Sequence, residues 1–297
     1  MQKKYKAWIF LSLTMCFWGM SFIWTRKLLD DFSPITIISL RLFISTVLLF
    51  IFSLLIKRLQ KIKSADIKWF LLLAIFQPFL YFIFEGYGVK ETSASVASIV
   101  IATIPLFTPI GDRIIFKQKV SLMNWIGILI SFFGVILIVS YKQNTADMPL
   151  IGLVYLFGAV FSAVGYMLVL SKVASKYNTF SVATWQNFIG VLLFAPFFIG
   201  FGYNEILQVQ FSKSIILSFL GLAIFASSLA FIFNTYGVRE LGASKAATFT
   251  NSVPVFTVVF AYFIINEPVG YIKVIGMATV LLGLILAQRK TKTIKHL

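Results

Sequence analysis

Acidic residues, cysteine and histidine are scarce in this chain of 297 residues, which contains 10 Asp and Glu, one Cys and one His. A single cysteine excludes a disulfide framework, and the one histidine, His296, cannot supply the ligand set of a structural zinc or a haem. The sequence also lacks the cluster of His, Asp and Glu, or the nucleophile beside a base, that an enzyme active site needs. We therefore expect no metal site, no cofactor and no enzymatic activity.

Polar surface is scarce as well, since 59% of the residues are hydrophobic, only 12% are charged and the mean hydropathy is +0.93. A soluble globule of this size could not be covered by so few polar side chains. The net charge of +16 would suggest a nucleic-acid partner in a soluble domain. Here the basic residues lie in short gaps between apolar runs, where anionic lipid of the inner leaflet is the expected counter-charge. We predict an integral membrane protein with no nucleic-acid partner.

Apolar runs of about 17 to 25 residues, the length that crosses about 30 Å of hydrocarbon as a helix, recur along the chain. Neither a long polar domain nor a Walker motif interrupts them, so ATP hydrolysis within this chain is not the direct energy source. The sequence predicts an all-α polytopic membrane protein with ten transmembrane helices. The predicted spans are 8–25, 35–56, 69–89, 93–115, 122–141, 150–171, 180–202, 213–237, 244–265 and 270–288.

One stretch of the chain is written twice. The segment FEGYGVKETSASVASIVIATIPLFT from Phe84 returns from Phe233 as FNTYGVRELGASKAATFTNSVPVFT, and eleven of these 25 aligned positions are identical. A match this dense, without gaps, indicates an internal repeat. We predict two related five-helix halves, residues 1–142 and 143–297.

The loop charges indicate that the two halves are inverted. Five helices per half is an odd number, so the second half must enter the membrane upside down; accordingly, Lys117 aligns with Asn266, whereas Val96 aligns with Lys245. With a cytoplasmic N-terminus, 19 basic residues lie on the cytoplasmic side and six on the other, which predicts that both termini are cytoplasmic in a bacterial-type inner membrane. Inverted repeats are typical of secondary transporters that work by alternating access around a site near the midplane.

Two ionisable residues lie clearly at membrane depth, where charge is costly and indicates function. Arg41 lies about 9 Å into helix 2 and Glu85 about 6 Å into helix 3 from the outer face, at 1.5 Å per residue. We predict an ion pair that lines the outer vestibule or gate. The alternative is that both side chains extend separately to the nearby headgroups.

Other candidate cavity residues are polar or aromatic side chains within apolar runs. An amide there needs a partner, either a substrate or a neighbouring helix, and aromatic side chains can form the wall of a cavity for an organic substrate. Two prolines at matched places, Pro105 and Pro254, predict helix breaks that expose carbonyl groups to the cavity. The candidates are Gln77, Gln186, Asn187, Asn234 and Asn251 among the amides, and Trp18, Tyr81, Tyr166 and Trp185 among the aromatics.

Glycines spaced seven apart in predicted helices 5 and 10 mark a face for close helix packing. They are Gly127 and Gly134 in the first half, matched by Gly276 and Gly283 in the second. We assign this face to structure, either as a scaffold within the chain or as the contact of a homodimer.

Several motifs occur in a fixed order on the ten predicted helices: Trp18-Gly19, Pro34 followed by Arg41-Leu42-Phe43, the repeated hairpin, and Asn266-Glu267-Pro268 before a glycine-spaced last helix. As an ordered set over the whole chain they resemble the drug/metabolite transporter superfamily, EamA type. The resemblance implies a ten-helix inverted-repeat fold, a central cavity formed mainly by helices other than 5 and 10, and export of amino acids, related metabolites or toxic amphiphiles. Gln118 departs from the family pattern, which usually has Glu after helix 4. The first half therefore lacks this Glu, and only Glu267 in the second half remains.

These observations favour a secondary transporter that exports a small organic solute such as an amino acid, metabolite or amphiphilic drug. Transport is coupled to protons if Glu85 carries them, and is facilitative if it does not. The alternative is a flippase for a lipid-linked precursor, which requires a lateral opening and basic residues that bind phosphate. A polytopic membrane enzyme is disfavoured by the missing catalytic cluster.

Overall fold

The computed structural model describes residues 2–92, 94–117, 121–140, 149–265 and 270–288, and these residues form helices joined by short connections. Seven helical segments are long and apolar enough to cross a membrane, which agrees with an all-α polytopic membrane protein. Helices also cover the other three predicted spans, but they are shorter or interrupted. The seven long segments are Gln2–Leu28, Pro34–Leu55, Ser64–Glu91, Leu150–Ala174, Thr179–Gln208, Lys213–Leu241 and Ala243–Ile264.

Several of these long segments are built from shorter helices. Turns of 3₁₀ helix lie at Ser64–Asp66 and Phe249–Ser252, and wider π-helical turns at Ile75–Leu80, Phe198–Gly202 and Leu222–Leu229. The α-helices are α1 (Gln2–Leu28), α2 (Pro34–Leu55), α3 (Ile67–Ala74), α4 (Tyr81–Glu91), α5 (Ala94–Ile101), α6 (Ile104–Phe116), α7 (Leu122–Ser140), α8 (Leu150–Ala174), α9 (Thr179–Phe197), α10 (Tyr203–Gln208), α11 (Lys213–Gly221), α12 (Ala230–Leu241), α13 (Ala243–Thr248), α14 (Val253–Ile265) and α15 (Tyr271–Gln288).

Short polar side chains start three of the helices. The hydroxyl of Ser33 accepts from the backbone of Thr36 at the start of α2, the amide oxygen of Asn178 accepts from Ser181 N at 2.9 Å, and Ser212 caps α11. Each cap satisfies a backbone N–H group that the helix itself leaves unpaired. The second helix of each sequence half therefore starts with a side-chain cap.

Helix boundaries recur at the spacing of the sequence repeat, which is 149 residues. Helix α6 covers Ile104–Phe116 and α14 covers Val253–Ile265, while α4 begins at Tyr81 and α12 at Ala230. The π-helical turns that precede α4 and α12 end at Leu80 and Leu229, again 149 residues apart. These helix boundaries thus recur in the two sequence halves.

Helices α7 and α15 pack against each other along their glycine faces. A Cβ atom added to Gly134 would lie 2.6 Å from Val280 N, and Gly127 is in similarly close contact with Ala287. Polar bonds reinforce the contact, since Asn124 Nδ2 donates to the Ala287 carbonyl at 2.8 Å and Ser131 Oγ to that of Val280 at 3.2 Å. The glycine face is therefore buried inside one chain, as the scaffold interpretation requires, and is not free for a homodimer contact.

The residues of the family pattern that differ between the halves, Gln118 and Asn266 to Pro268, lie outside the described residues.

The core has α8 at its centre, where Leu156, Val160, Tyr166 and Leu170 are buried against α4, α6 and α12. This helix carries the wall of the cavity described next.

Candidate substrate cavity

Six elements enclose a small buried cavity with a volume of about 30 Å³. It is lined from α1, α2, the broken segment 75–91, α5 with the start of α6, α8, and the 3₁₀ turn that leads into α14. Apolar side chains such as Phe22, Phe82 and Met167 form much of the wall. The polar and large amphipathic lining residues are Trp18, Ser21, Arg41, Gln77, Tyr81, Glu85, Tyr166 and Thr250.

Six of the sequence-predicted candidates meet at this cavity, namely Trp18, Arg41, Gln77, Tyr81, Glu85 and Tyr166. The other five candidates, which are not among its lining residues, are Gln186, Asn187, Asn234, Asn251 and Trp185.

Asn234 is not a lining residue, but its Nδ2 donates to the hydroxyl of the lining residue Tyr166 at 3.3 Å. Asn251 is fully buried next to the lining residue Thr250. Trp185 lies away from the cavity, because its indole N–H donates to the Gln60 carbonyl at 2.8 Å near the end of α2.

Arg41 is buried, with 3% of its surface exposed, so it does not extend to the headgroups. Its Nε donates to Ser227 Oγ at 2.9 Å, and its guanidinium carbon lies 4.2 Å from the centre of the Phe82 ring. A buried cation is tolerated where a hydrogen bond and an aromatic face replace water. The helix α2 thus presents one fixed positive charge to the cavity.

Glu85 lies on α4, one helical turn after Tyr81, and its Oε1 accepts from the Tyr81 hydroxyl at 3.1 Å. The predicted ion pair with Arg41 is not formed, since no side-chain nitrogen of Arg41 lies within 4.0 Å of a carboxylate oxygen of Glu85. Instead, Arg41 donates a hydrogen bond to Ser227, and Glu85 accepts one from Tyr81. The site therefore offers a cation and a carboxylate that remain separate.

The helix break at Gln77 was not predicted, although Gln77 itself was a candidate for its amide. Its backbone is extended (φ −151°, ψ 120°), and the next residue, Pro78, has no N–H group to continue the helix. At this break the buried backbone carbonyl of Gln77 accepts a hydrogen bond from Gln186 Nε2 at 2.9 Å. Pro78 inside a predicted span was the signal for this break.

The two prolines that were expected to break helices each lie in the first turn of a new segment. Helix α5 ends at Ile101 and α6 begins at Ile104, so Pro105 is the second residue of α6. Helix α14 begins at Val253, so Pro254 is likewise its second residue. Proline fits the first turn because that N–H group has no partner within the helix. The interruptions thus precede the prolines.

A chain of serines connects Arg41 to the neighbouring helices, and sequence reasoning missed it. Ser45 Oγ lies 2.8 Å from Ser228 Oγ and donates at 3.5 Å to the amide oxygen of Asn187, whose Nδ2 donates to the Ser227 carbonyl at 3.2 Å. Asn187 therefore supports Arg41 indirectly, through Ser227. Two adjacent serines in an apolar run, aligned with Pro78 and Phe79 in the repeat, were the available signal.

A buried carboxylate was also missed. Asp112, which is 2% exposed, accepts hydrogen bonds from the backbone N–H and the hydroxyl of Ser244 and so holds the start of α13. Asp112 lies within the predicted span 93–115, so a carboxylate close to the end of an apolar run was the available signal. Its two bonds to Ser244 connect α6 to α13.

A bundle of helices long and apolar enough to cross a membrane, with a small buried cavity inside it, defines a polytopic membrane protein. The sequence profile of the EamA-like transporter family matches residues 6–140 and again residues 150–288. The chain therefore belongs to the EamA-like transporter family, within the drug/metabolite transporter superfamily, and is a membrane transporter rather than an enzyme.

Curated relatives agree with this assignment, and a solved structure shares the fold. The chain is 30% identical to an uncharacterized transporter of Archaeoglobus fulgidus, over 96% of this chain and 99% of that protein. It is 26% identical to the uncharacterized transporter YdfC of Bacillus subtilis, over 89% of this chain and 85% of that protein. A solved crystal structure shares its fold with a TM-score of 0.78 over 96% of this chain and 98% of the other, at 15% identity.

Proposed function

We propose that this transporter is a secondary exporter of a small organic solute that carries both a negative and a positive group, such as an amino acid or a related metabolite. The observation that carries the proposal is the separation of Arg41 from Glu85 within one buried cavity. Two opposite charges that are held apart by other partners remain available to a ligand with complementary groups. The guanidinium would bind a carboxylate and Glu85 an ammonium group.

Alternating access is the mechanism that fits the size of the cavity. Sites for small organic molecules usually have volumes of about 300–1,000 Å³. A cavity of about 30 Å³ has room for water but not for such a solute. Substrate binding therefore requires the helices to separate, and the interruptions at Gln77 and at 102–103 are places where they can bend.

The two halves, 1–142 and 143–297, would move against each other as inverted repeats with both termini in the cytoplasm of a bacterial-type inner membrane. The recurrence of helix boundaries at a spacing of 149 residues supports this proposal, as do the two separate matches to the family profile. The excess of basic residues on one side supports the orientation.

A ligand panel tests the function. The full-length protein, purified in detergent, is heated with amino acids, sugars, nucleosides or isoprenoid phosphates, and protection against unfolding is measured. We expect a zwitterionic compound to protect the wild type and to lose its effect on Glu85→Gln, whereas Asp31→Asn, which removes an exposed carboxylate, retains it. Protection by isoprenoid phosphates alone would contradict the proposal and favour a flippase.

Proton coupling is tested with the compound that the panel selects. In proteoliposomes, uptake driven by a pH gradient is compared between the wild type and Glu85→Gln. If Glu85 carries the proton, the variant loses gradient-driven accumulation even at substrate concentrations high enough to offset its weaker binding, at which exchange of substrate for substrate persists. Intact gradient-driven transport in Glu85→Gln would exclude this role and leave facilitated transport.

A further inference from the structure

A second and much larger opening, with a volume of about 990 Å³, lies between α1, α2, the start of α9 and α12. It is at the end of the bundle that is predicted to be cytoplasmic. Its lining includes Ser228 and shares no residue with the lining of the cavity. We call this opening the lateral groove; it is separate from the cavity of the proposed function.

The walls of the lateral groove are apolar and continue onto the outer surface of the bundle. Leu48 and Phe52 of α2 line it and are 37% and 51% exposed, and the neighbouring Ile51 is 53% exposed. In a helix that spans a membrane, exposed apolar side chains face the acyl chains of lipid. The groove therefore opens sideways to the hydrocarbon, while Ile232 and Phe233 of α12 form its opposite wall.

Three cations lie at one end of this apolar groove, Lys6, Arg58 and Arg239. Lys6 Nζ lies 5.9 Å and the Arg239 guanidinium carbon 5.1 Å from the centre of the same Tyr236 ring. Arg239 pairs with Glu240 at 3.3 Å, whereas Lys6 and Arg58 have no carboxylate partner among the described residues. The end of the groove thus keeps a net positive charge.

From this geometry we propose that the lateral groove binds an anionic phospholipid from the cytoplasmic leaflet, with an acyl chain between α2 and α12 and the phosphate among Lys6, Arg58 and Arg239. The chemistry is matched at both ends, because the apolar walls are open to lipid and the unpaired cations lie at headgroup depth. A volume of about 990 Å³ is sufficient for a phosphate and a long part of one acyl chain.

The test measures lipid binding to the full-length protein after delipidation in detergent, by native mass spectrometry during titration with phosphatidylglycerol or phosphatidylcholine of equal chain length. We expect tighter binding of phosphatidylglycerol to the wild type. The triple variant Lys6→Gln, Arg58→Gln, Arg239→Gln should bind it at least tenfold more weakly, since each surface cation contributes about fivefold.

A matched control removes the same number of charges at the same end but outside the groove, in Lys3→Gln, Lys4→Gln, Lys61→Gln. This control should keep wild-type affinity for phosphatidylglycerol. Equal weakening in both triple variants would overturn the proposal, because binding would then follow net charge alone.

A second arm separates a lipid from a free anion. Leu48→Trp narrows the groove at an exposed wall position and should weaken the binding of phosphatidylglycerol. Glycerol 3-phosphate has the anionic group without acyl chains, so it should not compete with phosphatidylglycerol for the wild-type protein. Effective competition by glycerol 3-phosphate, or unchanged binding in Leu48→Trp, would contradict a lipid site.

Discussion

Replacement of Arg41 is the most direct perturbation of the cavity, because the guanidinium is its buried cation. In Arg41→Gln the hydrogen bond to Ser227 and the contact with the Phe82 ring lose their charge. The negative group of the proposed solute would lose its partner at the same time. Arg41→Lys keeps the charge but not the planar group that lies over Phe82.

The expected loss follows from the contacts that change. A hydrogen bond to a charged group contributes about 1.5–3 kcal/mol, which corresponds to about 10- to 100-fold in binding. The cation–π contact with Phe82 contributes to the position of the guanidinium rather than to the solute directly. We therefore expect substrate affinity to fall about 10- to 100-fold in Arg41→Gln and by a smaller factor in Arg41→Lys.

The assay is substrate counterflow in proteoliposomes, with the solute that the ligand panel identifies, over a range of concentrations. Thermal unfolding and gel filtration establish that each variant is folded. Ser227→Ala is the second variant, since it removes the partner of Arg41 without removing the charge, and it should weaken transport less than Arg41→Gln. A folded Arg41→Gln that transports at wild-type rates would refute the assignment of this cavity as the substrate site.

Two further variants test the packing of the helices. Gly134→Ala should lower the stability of the purified protein by about 1–3 kcal/mol, because its Cβ would lie 2.6 Å from Val280 N; Gly200→Ala, which meets no atom within 4 Å, should not. Equal melting temperatures of the two glycine variants would show that α7 and α15 do not pack as described. Gln186→Met removes the donor to the Gln77 carbonyl and should cost about 1–3 kcal/mol of stability, as measured by thermal unfolding.

The sequence identified the cavity residues that are unusual for their surroundings. Arg41, Gln77 and Glu85 are polar or charged within apolar runs, so their cost in a membrane revealed them without any structure. Serines in such runs are common and can bond to their own helix, so nothing in the sequence identified Ser227 as the partner of Arg41. Partners are set by which helices meet, and that information is not local.

The predicted ion pair failed for a related reason. Similar depth along two helices brought Arg41 and Glu85 to the same cavity, as their positions in the sequence indicated. Depth does not determine the direction of a side chain around its helix, and nearer partners were available to both residues. Tyr81 is one turn from Glu85 on the same helix, a spacing at which side chains meet.

The bonds at the two broken helices follow a reciprocal pattern between the halves. Arg41, on α2 of the first half, bonds to Ser227 in the π-helical turns of the second half. Gln186, on α9 of the second half, bonds to the Gln77 carbonyl at the break of the first half. Helices α2 and α9 occupy equivalent places in the repeat, so each half restrains the interrupted helix of the other through a polar side chain.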